Sequence, residues 1–314
     1  MKKLYSNSVK DGENILTEFV IRQKVLKEYE GKAFISFELS DKYGKLDGVY
    51  WGDDALERSA ELEVGSVARI WGKVQMYKGR NQIRIEKIEK LSEGEYDIAD
   101  FIPISRVPLD ELWGSFVKAI DGISDENLRR LFGLIVCDEK MVRALRNAPG
   151  GKKWHHAYVG GLLEHTLSVC RIALTGIRPY PNVDRDIITA GALIHDIGKT
   201  KEFTSGPIFD YTEEGRLIGH IILGILIIED YISKIPDFPS LLRMKLVHII
   251  ASHHGDASMG SPVKPMTVEA EIIFHADQLD AQANAFSHII ETESPEGKVW
   301  SNYVNLKDRY LYLR

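Results

Sequence analysis

Cysteine is scarce in this chain. Cys137 and Cys170 are the only two, too few and too isolated for a disulfide framework or a thiolate zinc site, which fits a reducing compartment and makes the cytoplasm the expected location. Long hydrophobic runs are also missing. The longest, Ile221 to Ile228, is bracketed by His220 and Glu229 and is far shorter than the roughly 20 residues a membrane span requires. It reads as a buried helix, and no membrane partner is expected. Lys2 and Lys3 are not followed by a signal-peptide core, because Leu4 to Leu16 is interrupted by Ser, Asn, Asp, Gly and Glu. A net charge of −6 excludes a protein that coats nucleic acid over its whole surface, so charge has to be read region by region. Internal repeats and low-complexity segments are absent as well.

What is present suffices for two domains: 314 residues, 44% hydrophobic and 27% charged. From about Glu18 to Leu91 the pattern is that of strands. Ala33, Ile35, Phe37 and Leu39 alternate with Phe34, Ser36 and Glu38, and similar alternation recurs from Val67 to Met76 and from Gln82 to Ile88. Turn signals fall at Asp41 to Gly44 and at Lys78-Gly79-Arg80-Asn81, and a short helix is expected around Asp54 to Ala60. Short strands packed this densely predict a small amino-terminal barrel of the OB type over residues 1–94. Residues 95–108, acidic and then proline-bearing, read as a linker. From Leu109 the period becomes helical, as in Leu112, Phe116, Val117 and Ile120, so 109–314 is expected to be an all-α bundle. The fold class is therefore multidomain α and β.

The barrel region carries a local basic stretch. Arg69, Lys73, Lys78, Arg80, Arg84, Lys87 and Lys90 face only Glu86 and Glu89, with Trp71 and Tyr77 among them. Single-stranded nucleic acid requires this combination, because cations neutralise phosphates while aromatic rings stack on bases. Arg69, Trp71, Lys73, Tyr77, Lys78, Arg80 and Arg84 are the candidate contacts. The bland alternative is a solvated strand face with Trp71 and Tyr77 in the core.

The strongest signal lies in the helical region. Nine of the ten histidines fall between His155 and His275, six of them in the pieces Glu164-His165, His195-Asp196-Ile197-Gly198-Lys199, Gly219-His220, His253-His254-Gly255 and His275-Ala276-Asp277, each embedded in apolar residues. An imidazole or carboxylate on an apolar helix face must be paired or metal-bound, since burying it alone costs several kcal/mol. Nitrogen and oxygen donors without sulfur suit Mn²⁺, Fe²⁺, Mg²⁺ or Zn²⁺ in an open catalytic site, and a carboxylate such as Asp196 is able to bridge two ions. Lys199, four residues after His195, is placed to contact a scissile phosphate or leaving oxygen, with a helix-end salt bridge as the alternative. His155, His156 and His288 lie outside the pattern and read as surface histidines.

The ordered set resembles the HD-domain phosphohydrolases over about Trp154 to Phe286, and its additional histidines resemble their two-metal members. The resemblance implies a first metal on His165, His195, Asp196 and Asp277, and a second on Asp196, His220, His253 and His254; Asp196 there and Lys199, on its position after His195, are the candidate catalytic residues. Together with the barrel, and with Gly72-Lys73-Val74-Gln75, Tyr77-Lys78-Gly79 and the run from His155 to His165, the chain resembles the YhaM family of 3′→5′ exoribonucleases. That resemblance implies single-stranded RNA as substrate, with DNA as the second candidate, 3′ polarity, and a preference for Mn²⁺.

Two other readings remain open at this stage. One is a phosphohydrolase of small nucleotides or cyclic dinucleotides with a regulatory barrel, for which the sequence offers few basic residues near the metals beyond Lys152, Lys153, Lys199 and Lys201. The other is a nucleic-acid binding or assembly module with a dead metal site; whether the chain forms a homo-oligomer is left open. The aromatic and basic stretch Trp300 to Arg314 has no clear period and is expected to pack on the helical domain.

Overall fold

The computed structural model describes residues 2, 4–92, 94–152, 154–204, 206–294 and 297–314. The chain divides into two compact units, Met1–Ile104 with Ser205–Phe209, and Ser105–Thr204 with Asp210–Arg314.

The first unit is a closed five-stranded barrel with strand order β1-β2-β3-β5-β4. Its elements are β1 (Asn14–Tyr29), β2 (Lys32–Asp41), β3 (Gly44–Tyr50), α1 (Ala55–Glu61), β4 (Val67–Tyr77) and β5 (Arg80–Lys90). Alternation drives the closure: Phe19, Ile21, Ile35, Phe37, Leu39, Ile70, Val74, Ile83 and Ile85 form one core, and alternate residues such as Ser36, Glu38, Trp71, Lys73 and Arg84 are less buried. The hairpins β1–β2 and β4–β5 turn on residue pairs with positive φ, Glu30 (50°) with Gly31 (79°) and Lys78 (48°) with Gly79 (79°). Such turns match the right-handed strand twist.

Within 95–108, where the sequence predicts a linker, the structure has a 3₁₀ turn at Ile98–Asp100 whose flank is packed into the first unit. Phe101 is buried with Val20, Val67 and Leu91, and Ile208 packs against them. The Lys2 ammonium, itself buried, donates to Asp41 at 2.7 Å, while the Asp100 carboxylate accepts from the Lys2 backbone N–H at 3.2 Å and the Tyr5 hydroxyl at 2.5 Å. Thus the N-terminal arm and residues 97–101 both belong to the barrel.

The second unit is all helical apart from short bridges. It contains α2 (Leu109–Asp121), α3 (Glu126–Cys137), α4 (Glu139–Asn147), α5 (Gly161–Gly176), α6 (Arg185–Ile194), α7 (Lys199–Glu202), α8 (Glu213–Leu217), α9 (Gly219–Ser233), α10 (Ser240–Ser252) and α11 (Val268–Glu293). Helix α6 starts on Asp184, whose side chain caps the Asp186 and Ile187 amides, and every residue from Ile187 to Ile194 is buried. A helix apolar on all sides is a central helix, and α5, α10 and α11 pack around this one. Gly191 permits the approach, because a Cβ there would lie 2.6 Å from Ile249 and 2.7 Å from Ile273.

The run Ile221 to Ile228 does not form a fully buried helix. Ile221, Leu223, Ile227 and Ile228 of α9 enter the core, while Ile222 and Leu226 are exposed. The stretch from Trp300 folds as an antiparallel hairpin bridged at Trp300–Tyr312 and Val304–Arg309, with Leu311 and Leu313 buried. Among the described residues no helix is long and apolar enough to cross a membrane.

Candidate metal centre and nucleic-acid face

The central helix α6 delivers the His195-Asp196 pair. It ends at Ile194, His195 is its C-cap, and the backbone then turns before α7 begins at Lys199. Adjacent side chains on a helix diverge by about 100°, but the turn lets these two converge. Gly198 within it is required by close packing, since a Cβ would sit 1.9 Å from the His220 carbonyl oxygen and 2.6 Å from the Gly224 amide. The same contact draws the start of α9, and with it His220, toward Asp196.

Two groups of ligand atoms result, sharing Asp196. In the first, His165 Nε2 and His195 Nε2 are 3.3 Å apart, and each lies near Asp196 Oδ2, at 3.4 and 3.3 Å. Asp277 Oδ1 closes the group at 3.0 Å from His165 and 4.0 Å from His195. In the second, the other Asp196 oxygen, Oδ1, faces His253 Nε2 at 3.4 Å and His220 Nε2 at 3.6 Å, with His254 beside them. Donors at about 2.1 Å from one cation stand about 3.0–3.4 Å from each other in octahedral or tetrahedral arrangements. The measured spacings cluster around those values.

The hydrogen bonds behind the rings decide which nitrogen faces inward. Nδ1 of His195 donates to the Ala192 carbonyl and Nδ1 of His253 to the Ile250 carbonyl, both at 2.8 Å, and Nδ1 of His254 donates to the Met259 carbonyl at 3.0 Å. His165 Nδ1 donates to Asp280 at 2.6 Å, and His220 Nδ1 to Glu202 at 3.0 Å. With Nδ1 protonated, all five rings present Nε2 lone pairs to the site, as metal-ligating histidines do. Asp196 Oδ1, His220 Nε2 and His253 Nε2 are buried without a hydrogen-bond partner among the described residues. Buried polar atoms rarely remain so, and these three fit a cation.

The electrostatics point the same way. Burial acts to raise the Asp196 carboxyl, but Lys199, His195 and the His165 contact hold it well below the usual carboxylate range. Burial opposes charge on His165, yet Asp196, Asp277 and Asp280 raise its affinity for a proton well above normal. Burial lowers His254 to about 3, with His253 and His220 adding to the effect. The site is a concentration of negative charge that demands a cation.

Lys199 does not stand free for a phosphate. Its buried ammonium donates to Asp196 Oδ2 at 2.5 Å and to the Gly150 carbonyl at 2.6 Å, so it holds Asp196 rather than reaching outward. Nor is it one turn beyond His195 on a common helix. Lys152 pairs with Asp210 at 2.6 Å, and Lys153 lies outside the described residues.

The histidines His155 and His156 are not on the surface. His156 is buried, its Nε2 donates to Asp280 Oδ2 at 2.8 Å, and its Nδ1 accepts from the Tyr158 hydroxyl at 2.7 Å. The buried trio His156, His165 and Asp280 therefore orients the first group from behind. Asp280 lies three residues after Asp277 on α11, a spacing that carried the signal; Glu202 and the His155-His156 pair had no periodicity to mark them.

In the first unit the basic stretch lies on the outside of the barrel. Arg69, Trp71, Lys73 and Tyr77 alternate with buried Ala68, Ile70 and Val74, and Lys73 pairs with Arg84 across β4–β5. Neither Trp71 nor Tyr77 is in the core. Arg69 is held by Glu18 at 3.1 Å, and the Lys87 ammonium covers the Trp71 ring at 4.6 Å. Tyr77 and Lys78 sit together at 5.4 Å, while Lys73, Arg80 and Arg84 are exposed without an ion pair among the described residues. An aromatic pair escaped the sequence reading. Phe34 and Trp51, half-buried, stack at 4.2 Å and 16°, and the next outward positions on β2 and β3, Ser36 and Val49, lead to Arg84 on β5.

The family model "HD domain" matches residues 162–282, and "OB-fold nucleic acid binding domain" matches 20–91. The 3′-5′ exoribonuclease YhaM of Bacillus subtilis is 33% identical over 286 residues, covering 90% of this chain and 88% of the relative. This chain belongs to the YhaM family. Its namesakes from Bacillus licheniformis, 32% identical over 90% of the chain and 88% of the relative, and Listeria innocua, 32% over 90% and 89%, agree. In this YhaM-family chain the HD match encloses every residue of the two ligand groups and Asp280, and leaves His155 and His156 just outside. An HD domain bearing these His/Asp groups suits a divalent metal, and an OB barrel suits a nucleic-acid substrate.

Proposed function

We propose that the chain is a metal-dependent 3′→5′ exoribonuclease that shortens single-stranded RNA and releases nucleoside monophosphates. The observation that carries this is Asp196, whose two oxygens face two separate sets of inward-pointing imidazole nitrogens. His165, His195, Asp196 and Asp277 hold one ion in this reading, and Asp196, His220, His253 and His254 hold a second. The nitrogen and oxygen donor set favours Mn²⁺ over metals that seek thiolate. The chemistry such ions supply is polarisation of a phosphoryl oxygen and acidification of water. The protein's own share is positional: Asp280 and Glu202 fix ring orientation, and Lys199 holds the shared carboxylate in place.

Division of labour follows the domains. The barrel over 1–94 retains the strand through Lys73, Arg80, Arg84 and neighbouring aromatics, and the helical region over 109–314 cleaves. Two unpaired cysteines, Cys137 and Cys170, suit the reducing cytoplasm, where such a substrate resides.

The test is incubation of the full chain with 5′-labelled single-stranded RNA and DNA in Mn²⁺ or EDTA. A ladder receding from the 3′ end only with metal supports the proposal. Intact RNA beside rapid turnover of mononucleotides or cyclic dinucleotides overturns it in favour of a small-nucleotide hydrolase, and binding without turnover in favour of a binding module.

A further inference from the structure

In the loop between α4 and α5, His156 is held with little freedom. A Cβ on Gly161 would lie 1.9 Å from the His156 carbonyl oxygen, and one on Gly150 would lie 2.6 Å from the His156 Cβ. The Gly150 amide donates to the His156 carbonyl at 2.9 Å, and the His156 amide donates to the Asn284 side chain at 3.0 Å. At the centre, His156 adopts φ 45°, a left-handed conformation unfavourable to a residue with a Cβ.

The rings of His155 and His156 both lie against His165, with centroids 5.2 and 5.4 Å from it and interplanar angles of 57° and 49°, and the two rings stand nearly perpendicular to each other, 6.0 Å apart at 89°. His156 is fully engaged by Asp280 and Tyr158. His155 is not: both of its ring nitrogens are buried and neither has a hydrogen-bond partner among the described residues. A buried imidazole with an unused N–H and an unused lone pair costs stability, about 1–3 kcal/mol per unmet group. Strained backbone and unmet polar groups concentrate where a ligand completes the site.

We propose that His155 is a substrate-contacting residue, donating its ring N–H to a non-bridging oxygen of the phosphodiester at the 3′ end of the RNA; this rests on the exoribonuclease reading. The location fits an anion. The ring lies beside ligand His165, centroids 5.2 Å apart, next to the group that would hold the first ion. The anchored backbone of the adjacent His156 offers the donor with little left to order on binding, which is how a positioning contact acts at low entropic cost.

The experiment compares the full-length Mn²⁺-loaded enzyme with His155→Phe, which keeps the ring shape, and His155→Gln, which keeps an N–H. Readouts are bound manganese, binding of 5′-AMP, and kcat and KM on a 5′-labelled single-stranded RNA. The expected result is unchanged metal content, about tenfold or more weaker 5′-AMP binding and about 10–100-fold lower kcat/KM for H155F, the range of a hydrogen bond to a charged group. H155Q should recover at least part of both losses. Activity and 5′-AMP affinity within twofold of wild type in H155F overturn the proposal. So does loss of manganese in H155F, which makes the residue a support of the metal. If H155F does not fold, H155A, which also lacks the donor, takes its place: weaker 5′-AMP binding than wild type with full metal supports the proposal, and unchanged binding overturns it. Failure of the wild type to shorten RNA would sink the exoribonuclease reading alone, because the 5′-AMP comparison tests His155 independently.

Discussion

His165 and His195 aim their Nε2 atoms at each other across 3.3 Å, although each Nδ1 already donates elsewhere, to Asp280 and to the Ala192 carbonyl. Two lone pairs so close repel unless a cation lies between or beside them. Three carboxylates, Asp196, Asp277 and Asp280, surround His165 and raise its hold on a positive charge. The fold thus builds a site that is electrostatically incomplete by itself.

Replacing the shared carboxylate is the most direct probe. Asp196→Asn should leave circular dichroism unchanged while lowering both bound metal and RNA hydrolysis, the latter by about a thousandfold, in keeping with the several kcal/mol that metal polarisation supplies. Hydrolysis within tenfold of wild type would remove Asp196 from the site.

Asp280 accepts from both His156 and His165 through one oxygen. Asp280→Asn offers those two donors a weaker acceptor and frees His165 to rotate. Metal affinity should fall about 10–100-fold, the usual penalty for losing a partner behind a ligand. Calorimetric titration with Mn²⁺ measures it, and an unchanged dissociation constant would contradict the role.

Glu202 accepts from the His220 ring at 3.0 Å and from its backbone amide at 3.1 Å. Among the described residues it makes no hydrogen bond or ion pair with the first group's donors. Glu202→Gln should therefore weaken the second ion selectively, lowering the manganese stoichiometry measured by elemental analysis toward one per chain. Equal weakening of both ions, or none, argues against two separable sites.

On the barrel, Arg69 is neutralised by Glu18, whereas Phe34 and Trp51 form an outward stack. Trp51→Ala should weaken binding of an oligoribonucleotide by about 1–3 kcal/mol, the worth of one stacked base, and Arg69→Ala by much less. Fluorescence anisotropy distinguishes them, and the opposite ranking would move the RNA path to the Arg69 end of β4.

Acid should release the N-terminal arm. Burial acts to raise the Asp41 carboxyl, but Lys2 and Ser6 hold it below its ordinary value. A depressed carboxylate adds stability above its unfolded pKa of about 3.9 and loses it as the pH falls below that value. Exchange of the Ser6 amide, which donates to Asp41 at 2.7 Å, should accelerate below that pH. Asp41→Asn should cost about 1–3 kcal/mol at neutral pH and lack this acid response; a variant as protected as wild type at pH 7 would refute it.

Sequence alone determined the elements whose cause is local. Alternation of Ile35, Phe37 and Leu39 with outward neighbours set β2, the glycine at Lys78-Gly79 set a hairpin, and the helical period after Leu109 separated bundle from barrel. The order of histidines and aspartates marked the ligand groups, because polar residues in apolar helices need partners wherever they are. Tertiary structure decided what those partners are. Lys199 turns inward to Asp196, Asp280 gathers two imidazoles, and Phe34 meets Trp51 only because the chain brings distant backbone segments together. Gly198 shows the physical reason: its missing side chain matters solely because α9 packs against it, and no neighbour in sequence records that contact.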